Sequence, residues 1–158
     1  MFHVVLFEPE IPPNTCNIIR LCANTGAGLH LIHPLGFMLE DRQLRRAGLD
    51  YDEFARVVEY HSLEEFTDKV RPVRLFAAST KGTTCYSTVR YLDGDAFLFG
   101  PESRGLPQAV LASFPSDHVL RVPMQKTSRS LNLSNAVSVI VYEALRQNGF
   151  PFAAVQGE

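Results

Sequence analysis

The chain has little of what marks several large functional classes. Its three cysteines, Cys16, Cys22 and Cys85, form no CxxC pair and no zinc-ligand spacing. So sparse and odd-numbered a set argues against a disulfide scaffold and suits reduced thiols in a cytoplasm, the expected location. Positive charge is not in excess: the net charge of −2 excludes a histone-like, polybasic nucleic-acid binder, though not a local basic patch. No unbroken apolar run reaches membrane-spanning length. The segment Met1-Phe2-His3-Val4-Val5-Leu6-Phe7-Glu8-Pro9 lacks the basic lead of a signal peptide. No GxGxxG follows a strand, and GxSxG and HExxH are missing, which removes the dinucleotide, hydrolase-elbow and zincin readings. Gly100 to Gly105 has phosphate-loop spacing, but Leu106-Pro107 follows where a Walker site needs Lys and Ser or Thr. The five histidines are scattered, and no metal site is expected.

What is present reads as one domain over residues 1–158 with 46% hydrophobic and 20% charged residues, long enough to bury roughly 70% of its unfolded surface. His3 to Phe7 is a β-branched and aromatic run, hence a buried first strand. Further strands are expected at Leu29–His33, Val57–Tyr60, Leu75–Ser79, Ala96–Phe99 and Val119–Val122. Glu8 to Pro13 carries three prolines and is expected to be irregular, after which Asn14 caps a helix from Thr15 to Asn24 that Gly26 ends. Helices are also expected at Asp41–Ala47, after the capping box Ser62-Leu63-Glu64-Glu65, and from Gln108 to Ser113. Strands alternating with helical crossovers predict an α/β protein with a mainly parallel sheet and helices on both faces.

The region that organises the rest is Arg121 to Gln147. A short strand passes into the polar loop Lys126-Thr127-Ser128-Arg129-Ser130-Leu131-Asn132-Leu133-Ser134-Asn135 and then into an apolar helix from Ser134 to Gln147. That helix is apolar round most of its circumference, so it is expected to find too little cover within one subunit and to build a homodimer. The polar loop alone reads as a helix cap. Together with Ser79 to Thr84 and Gly100 to Pro107, it makes three loops at strand C-termini, where parallel α/β sheets hold ligands. On the first helix Asn17, Arg20 and Asn24 form a polar stripe, with a solvated face as the plain alternative.

Three ordered segments carry a resemblance over essentially the whole chain. They are Asn14 to Gly26, Phe99-Gly100-Pro101-Glu102-Ser103-Arg104-Gly105-Leu106, and Val122-Pro123-Met124 with Ser128 to Val137. Together they resemble the motifs of the SPOUT methyltransferases, the small members that 2′-O-methylate the wobble ribose of tRNA in particular. The resemblance implies a SPOUT-type α/β knot (a deep C-terminal trefoil), S-adenosylmethionine as cofactor, a homodimer, no metal and no membrane. It also implies the anticodon stem-loop of tRNA as partner, with position 34 of leucine tRNAs as target. Carried over by position, it puts the cofactor pocket on Ala78, Thr80, Gly100, Glu102, Gly105, Val122, Met124, Ser130, Leu131 and Asn135. Catalysis falls to Arg20 with Asn17 and Asn132, and RNA contacts to Arg42, Arg45, Arg46 and Arg129. Cys16 departs from the family's glycine; a positive φ there would strain it, whereas the first turn of a helix would accept it, with a thiol open to oxidation. Two other functions stay open: an rRNA 2′-O-methyltransferase of the same superfamily, and a dimeric RNA-binding module that has lost catalysis.

Overall fold

The computed structural model describes residues 1–39, 46, 48–54 and 56–153. Seven parallel strands form one sheet in the order β3-β2-β1-β6-β4-β7-β5. They are β1 (His3–Phe7), β2 (Gly28–Ile32), β3 (Val57–Tyr60), β4 (Leu75–Ala78), β5 (Thr84–Cys85), β6 (Ala96–Phe99) and β7 (Val119–Arg121). The helices are α1 (Pro12–Thr25), α2 (Tyr51–Phe54), α3 (Leu63–Val70), α4 (Gln108–Ala112) and α5 (Leu133–Gln147). The two-residue β5 is too short to leave a pattern in the sequence and was not expected from it.

Strand alternation sorts side chains onto two faces. On one, Val4, Leu6, Leu31, Phe76, Phe97, Phe99 and Leu120 pack under α1 and α5, through Ile18, Ile19, Cys22, Val137, Ile140, Val141 and Ala144. On the other, Val5, Ile32, Tyr60, Ala77 and Leu98 pack under Phe66 of α3 and Leu111 of α4. A sheet covered on both faces explains why β6, Ala-Phe-Leu-Phe, is buried at every position.

Local chemistry sets most of the boundaries. Gly26 takes the left-handed conformation at φ 75° and donates to the Cys22 carbonyl, closing α1. Ser62 accepts from the Glu65 N–H to open α3, while the Glu65 carboxylate accepts from the His61 N–H at 2.6 Å. Asn132 caps α5 by accepting from the Ser134 N–H at 3.0 Å.

Two expectations about α1 are corrected. The helix starts at Pro12, with prolines in its first turn and Ile11 at the cap. The missing proline N–H is harmless there, because the first turn's N–H groups have no helical partner anyway. Asn14 therefore lies inside the helix, buried, and its side chain is free for a longer-range role. Cys16, also inside α1, is buried, and burial pushes its thiol up, away from the reactive thiolate.

On α5 the chain covers one face of the helix. Leu133, Val137, Ile140, Val141, Ala144 and Leu145 are buried by the chain's own α1 and sheet. Tyr142 is the large apolar side chain that α5 leaves exposed, at 44%. The helix expected at Asp41–Ala47, including Arg42 and Arg45, lies outside the described residues except for Arg46, which is helical and exposed.

Candidate active site

The registers align the carboxyl ends of four neighbouring strands: Leu6 and Ala78 both pair with Phe99, and Ala78 pairs with Leu120. Order reverses here, since β1 has β2 on one side and β6 on the other. The ligand crevice of a parallel sheet forms at such a reversal. A cavity of about 550 Å³ opens at this edge, walled by the loops that leave β4, β6 and β7 and by the start of α1. That volume lies within the roughly 300–1,000 Å³ usual for small-molecule sites.

Of the positions expected to bind cofactor, Ala78, Thr80, Gly100, Glu102, Gly105, Val122, Met124, Ser130 and Leu131 line the cavity. Asn135 does not; it sits on the exposed side of α5's first turn. Asn132 and Arg129 also line it. Asn14, Ser79, Lys81 and Arg104, not expected there from the sequence, line it as well. For Asn14 the signal was its place at the head of the first motif, which was read as a helix cap instead.

A mesh of polar contacts fixes the cavity's walls. The Glu102 carboxylate accepts from the Glu10 N–H at 2.8 Å, the Ile11 N–H at 3.1 Å and Asn14 Nδ2 at 3.4 Å. In return the Glu10 carboxylate accepts from the Ser103 N–H at 3.1 Å and its hydroxyl at 2.7 Å. Those Ser103 bonds hold the Glu10 carboxyl below its usual range. Arg104 reaches Glu8 at 2.5 Å. The loop after β6 is thus bound to the turn between β1 and α1. Asn14 extends the mesh by accepting from Asn132 Nδ2 at 3.0 Å, and Asn132 in turn caps α5. Elements from three distant parts of the sequence meet at one amide.

Gly100 shapes the wall in another way. A Cβ there would lie 2.5 Å from the Gly105 carbonyl carbon and 3.0 Å from its Cα, so the loop closes on itself only over a glycine. Gly105 turns the chain back at φ 66°.

Asn17 and Arg20 are exposed and stand outside the cavity lining. Arg20 lies six residues beyond Asn14, about 9 Å along the helix axis. Its Nη2 donates to the Gly48 carbonyl, and its Nε lies 3.8 Å from Glu53 Oε1. Among the described residues no cluster of His, Cys, Asp or Glu could hold a metal ion, and no helix is long and apolar enough to cross a membrane.

Comparison with known proteins places this architecture. The model of the SpoU rRNA methylase family matches residues 1–142. The chain belongs to this family. A tRNA (cytidine(34)-2′-O)-methyltransferase of Escherichia coli K12 is 57% identical over 156 residues, 99% of each chain. A solved structure concerned with 2-OH methylation of C/U34 on tRNA superposes with TM-score 0.86 at 47% identity, over 94% of this chain and 97% of its own. The SpoU methyltransferase AviRb from Streptomyces viridochromogenes, solved in complex with AdoMet, superposes with TM-score 0.78 at 26% identity, over 92% of this chain and 57% of its own. The SpoU-family fold accounts for the parallel sheet and for the clustering of the three motifs at its carboxyl edge.

Proposed function

We propose that this protein transfers a methyl group from S-adenosylmethionine to the ribose 2′-oxygen of the wobble nucleotide, position 34, of tRNA. The observation that carries this reading is the 550 Å³ cavity built by all three motif segments at the strand ends, joined to full-length relatives that act on that nucleotide. The family's description points to ribosomal RNA. The tRNA relatives match over nearly the whole chain at 57% identity, which favours tRNA. Leucine tRNAs in the cytoplasm are the substrates to try first.

The residues present fit the cofactor. Val122, Met124, Leu131 and Ala136 offer an apolar wall for a purine, while the glycine turns at Gly100 and Gly105 bring backbone groups close to the cavity. Ser130 and Thr80 add hydroxyls. Bound there, S-adenosylmethionine supplies an electrophilic methyl group on a sulfonium. The protein's task is to align the ribose oxygen and stabilise the charge that grows on it.

In this reading Arg20, beyond the cavity mouth, acts on the RNA and not on the cofactor. Arginine is a poor base, so the 2′-hydroxyl proton leaves to a phosphate or another bound group. Arg20 pairs with a phosphate next to the reacting ribose and stabilises the developing alkoxide. Asn132 and Asn17 orient the ribose or the arginine. Arg129 on the cavity rim, with Arg46 and the neighbouring Arg42 and Arg45, supplies phosphate contacts that the net charge conceals. The chain after β7 threads the trefoil knot that the family resemblance implies. A homodimer completes the picture; its support is Tyr142, exposed on α5 with the half-buried Val139 one turn before it.

The test uses purified protein, a tRNA transcript with cytidine at position 34, and mass mapping of nuclease fragments. Methylation at that ribose is expected, and Arg20→Ala abolishes it while calorimetry shows S-adenosylmethionine binding retained. Absence of cofactor binding by the wild type, or near-normal turnover by Arg20→Ala, overturns the reading. Sedimentation at micromolar concentration tests the dimer, and a stable monomer sinks it.

A further inference from the structure

We propose that Glu53 is a positioning residue for Arg20, and that it sets the orientation in which the guanidinium meets the RNA. The inference rests on the reading of Arg20 given above and deepens it.

The geometry begins with the turn that precedes α2. Gly48 stands at φ 72°, a left-handed conformation that points its carbonyl at Arg20 Nη2. A Cβ on Gly48 would lie 3.4 Å from that same nitrogen, an ordinary contact, so the positive φ and not lack of space calls for glycine there. Asp50 and Glu53 then form a reciprocal capping box. The Asp50 N–H donates to Glu53 Oε2 at 2.9 Å, and the Glu53 N–H donates to Asp50 Oδ1 at 2.9 Å. This box occupies one carboxylate oxygen of Glu53. The other, Oε1, faces Arg20 Nε at 3.8 Å.

The two partners differ in freedom. The Glu53 side chain is 20% exposed and anchored by its cap, whereas the Arg20 side chain is 46% exposed. A fixed anion therefore holds a more mobile cation. The contacts with Gly48 and Glu53 both come from one short segment and engage Nη2 and Nε. The two hydrogens of Nη1 are not used by either contact and are left to reach a phosphate. An arginine held at two points loses less rotational freedom when RNA arrives, and it arrives aimed.

As a stability element such a pair is minor, since exposed ion pairs contribute between nothing and about 1 kcal/mol. Its effect is on turnover. Glu53→Gln isolates the charge, because a glutamine oxygen still accepts the Asp50 N–H in a capping box. The expected result is a fall in kcat of roughly tenfold or more. The KM for the tRNA transcript stays level or drops, because a negative charge near the RNA has been removed. The S-adenosylmethionine affinity and the unfolding midpoint stay at wild-type values. In an Arg20→Lys background, whose ammonium lacks the planar fork, Glu53→Gln changes kcat less than twofold.

An unchanged kcat in Glu53→Gln overturns the proposal, and so does an equal fall in both backgrounds. A rise in kcat together with tighter tRNA binding means that Glu53 only repels RNA, which also overturns it. If Arg20→Ala keeps wild-type turnover, the catalytic role of Arg20 falls first and this inference falls with it. The Arg20→Ala control therefore tells the two failures apart.

Discussion

Asn14 and Asn132, 118 positions apart in sequence, share a hydrogen bond of 3.0 Å from Asn132 Nδ2 to Asn14 Oδ1. Through it the first turn of α1 is bound to the cap of α5, and the opposite edge of the Asn14 amide donates to Glu102 at 3.4 Å. One buried side chain thus holds three walls of the cavity in register.

Removing that amide has two separable effects. Asn14→Ala deletes a buried hydrogen-bonding group, and is expected to lower stability by about 1–2 kcal/mol. Asn14→Asp keeps the shape but sets a second carboxylate against Glu102, so its loss of S-adenosylmethionine affinity should exceed that of Asn14→Ala. Thermal unfolding and calorimetry on the two variants check this. Equal affinities would show that Glu102 does not feel position 14.

Replacing Gly100 tests the wall itself. Gly100→Val places a Cβ 2.5 Å from the Gly105 carbonyl carbon, and the obstacle is backbone, which cannot turn aside as a side chain would. The loop after β6 must open. Cofactor affinity is expected to drop at least tenfold, an effect of about 1.4 kcal/mol or more. Unchanged affinity by calorimetry would put the cofactor elsewhere.

Stability should depend on pH through the opposite half of the molecule. His30 is buried between His3, at 3.0 Å, and the Tyr60 hydroxyl, at 3.0 Å, with Phe66 against its ring. Burial first, and then the neighbouring His3, push its pKa down to about 4. Above about pH 6.5 the imidazole is neutral both folded and unfolded, and the shift contributes nothing. As pH falls from 6.5 towards 4, the unfolded chain takes up a proton that the folded one refuses. Stability is lost over that window by on the order of 3 kcal/mol, at no more than about 1.4 kcal/mol per pH unit. Urea unfolding at pH 7.5 and pH 5 measures this, and His30→Leu should flatten the dependence. The same slope in the variant would move the effect away from His30.

A structural ion pair anchors the edge far from the cavity. Asp95 is wholly buried and accepts from Arg74 Nε at 3.0 Å, Arg74 Nη2 at 2.5 Å and the Leu92 N–H at 2.8 Å. Asp95→Ala strands the arginine and the amide, and is expected to cost about 3 kcal/mol or more. The urea midpoint should fall while cofactor affinity per folded molecule is retained. A loss below about 1 kcal/mol would mean that water replaces the carboxylate.

Elements whose signals are local were legible in the residues alone. The runs at β1 and β6 match their observed bounds, because buried parallel strands are short apolar stretches ended by glycine or proline; β3, half exposed at the sheet edge, matches through its β-branched and aromatic residues and the helix cap at Ser62. Gly26 and Ser62 end and begin helices through chemistry confined to four or five residues. The motif order from Asn14 to Val137 also identified the family and most of the cavity lining, since family motifs are themselves linear patterns. The rest depends on contacts between distant segments. Asn14 was read as a cap because a side chain's partner 118 positions away leaves no trace in the residues beside it. How much of α5 the chain itself covers was not legible either, because apolar circumference says how much surface must be buried, not how much of it α1 and the sheet reach. Arg20 was placed by motif, but its hold on Gly48 and Glu53 exists only where the chain folds back across α1. Local pattern and composition set the elements; which distant groups share a hydrogen bond is settled only when the sheet brings its strand ends to one edge.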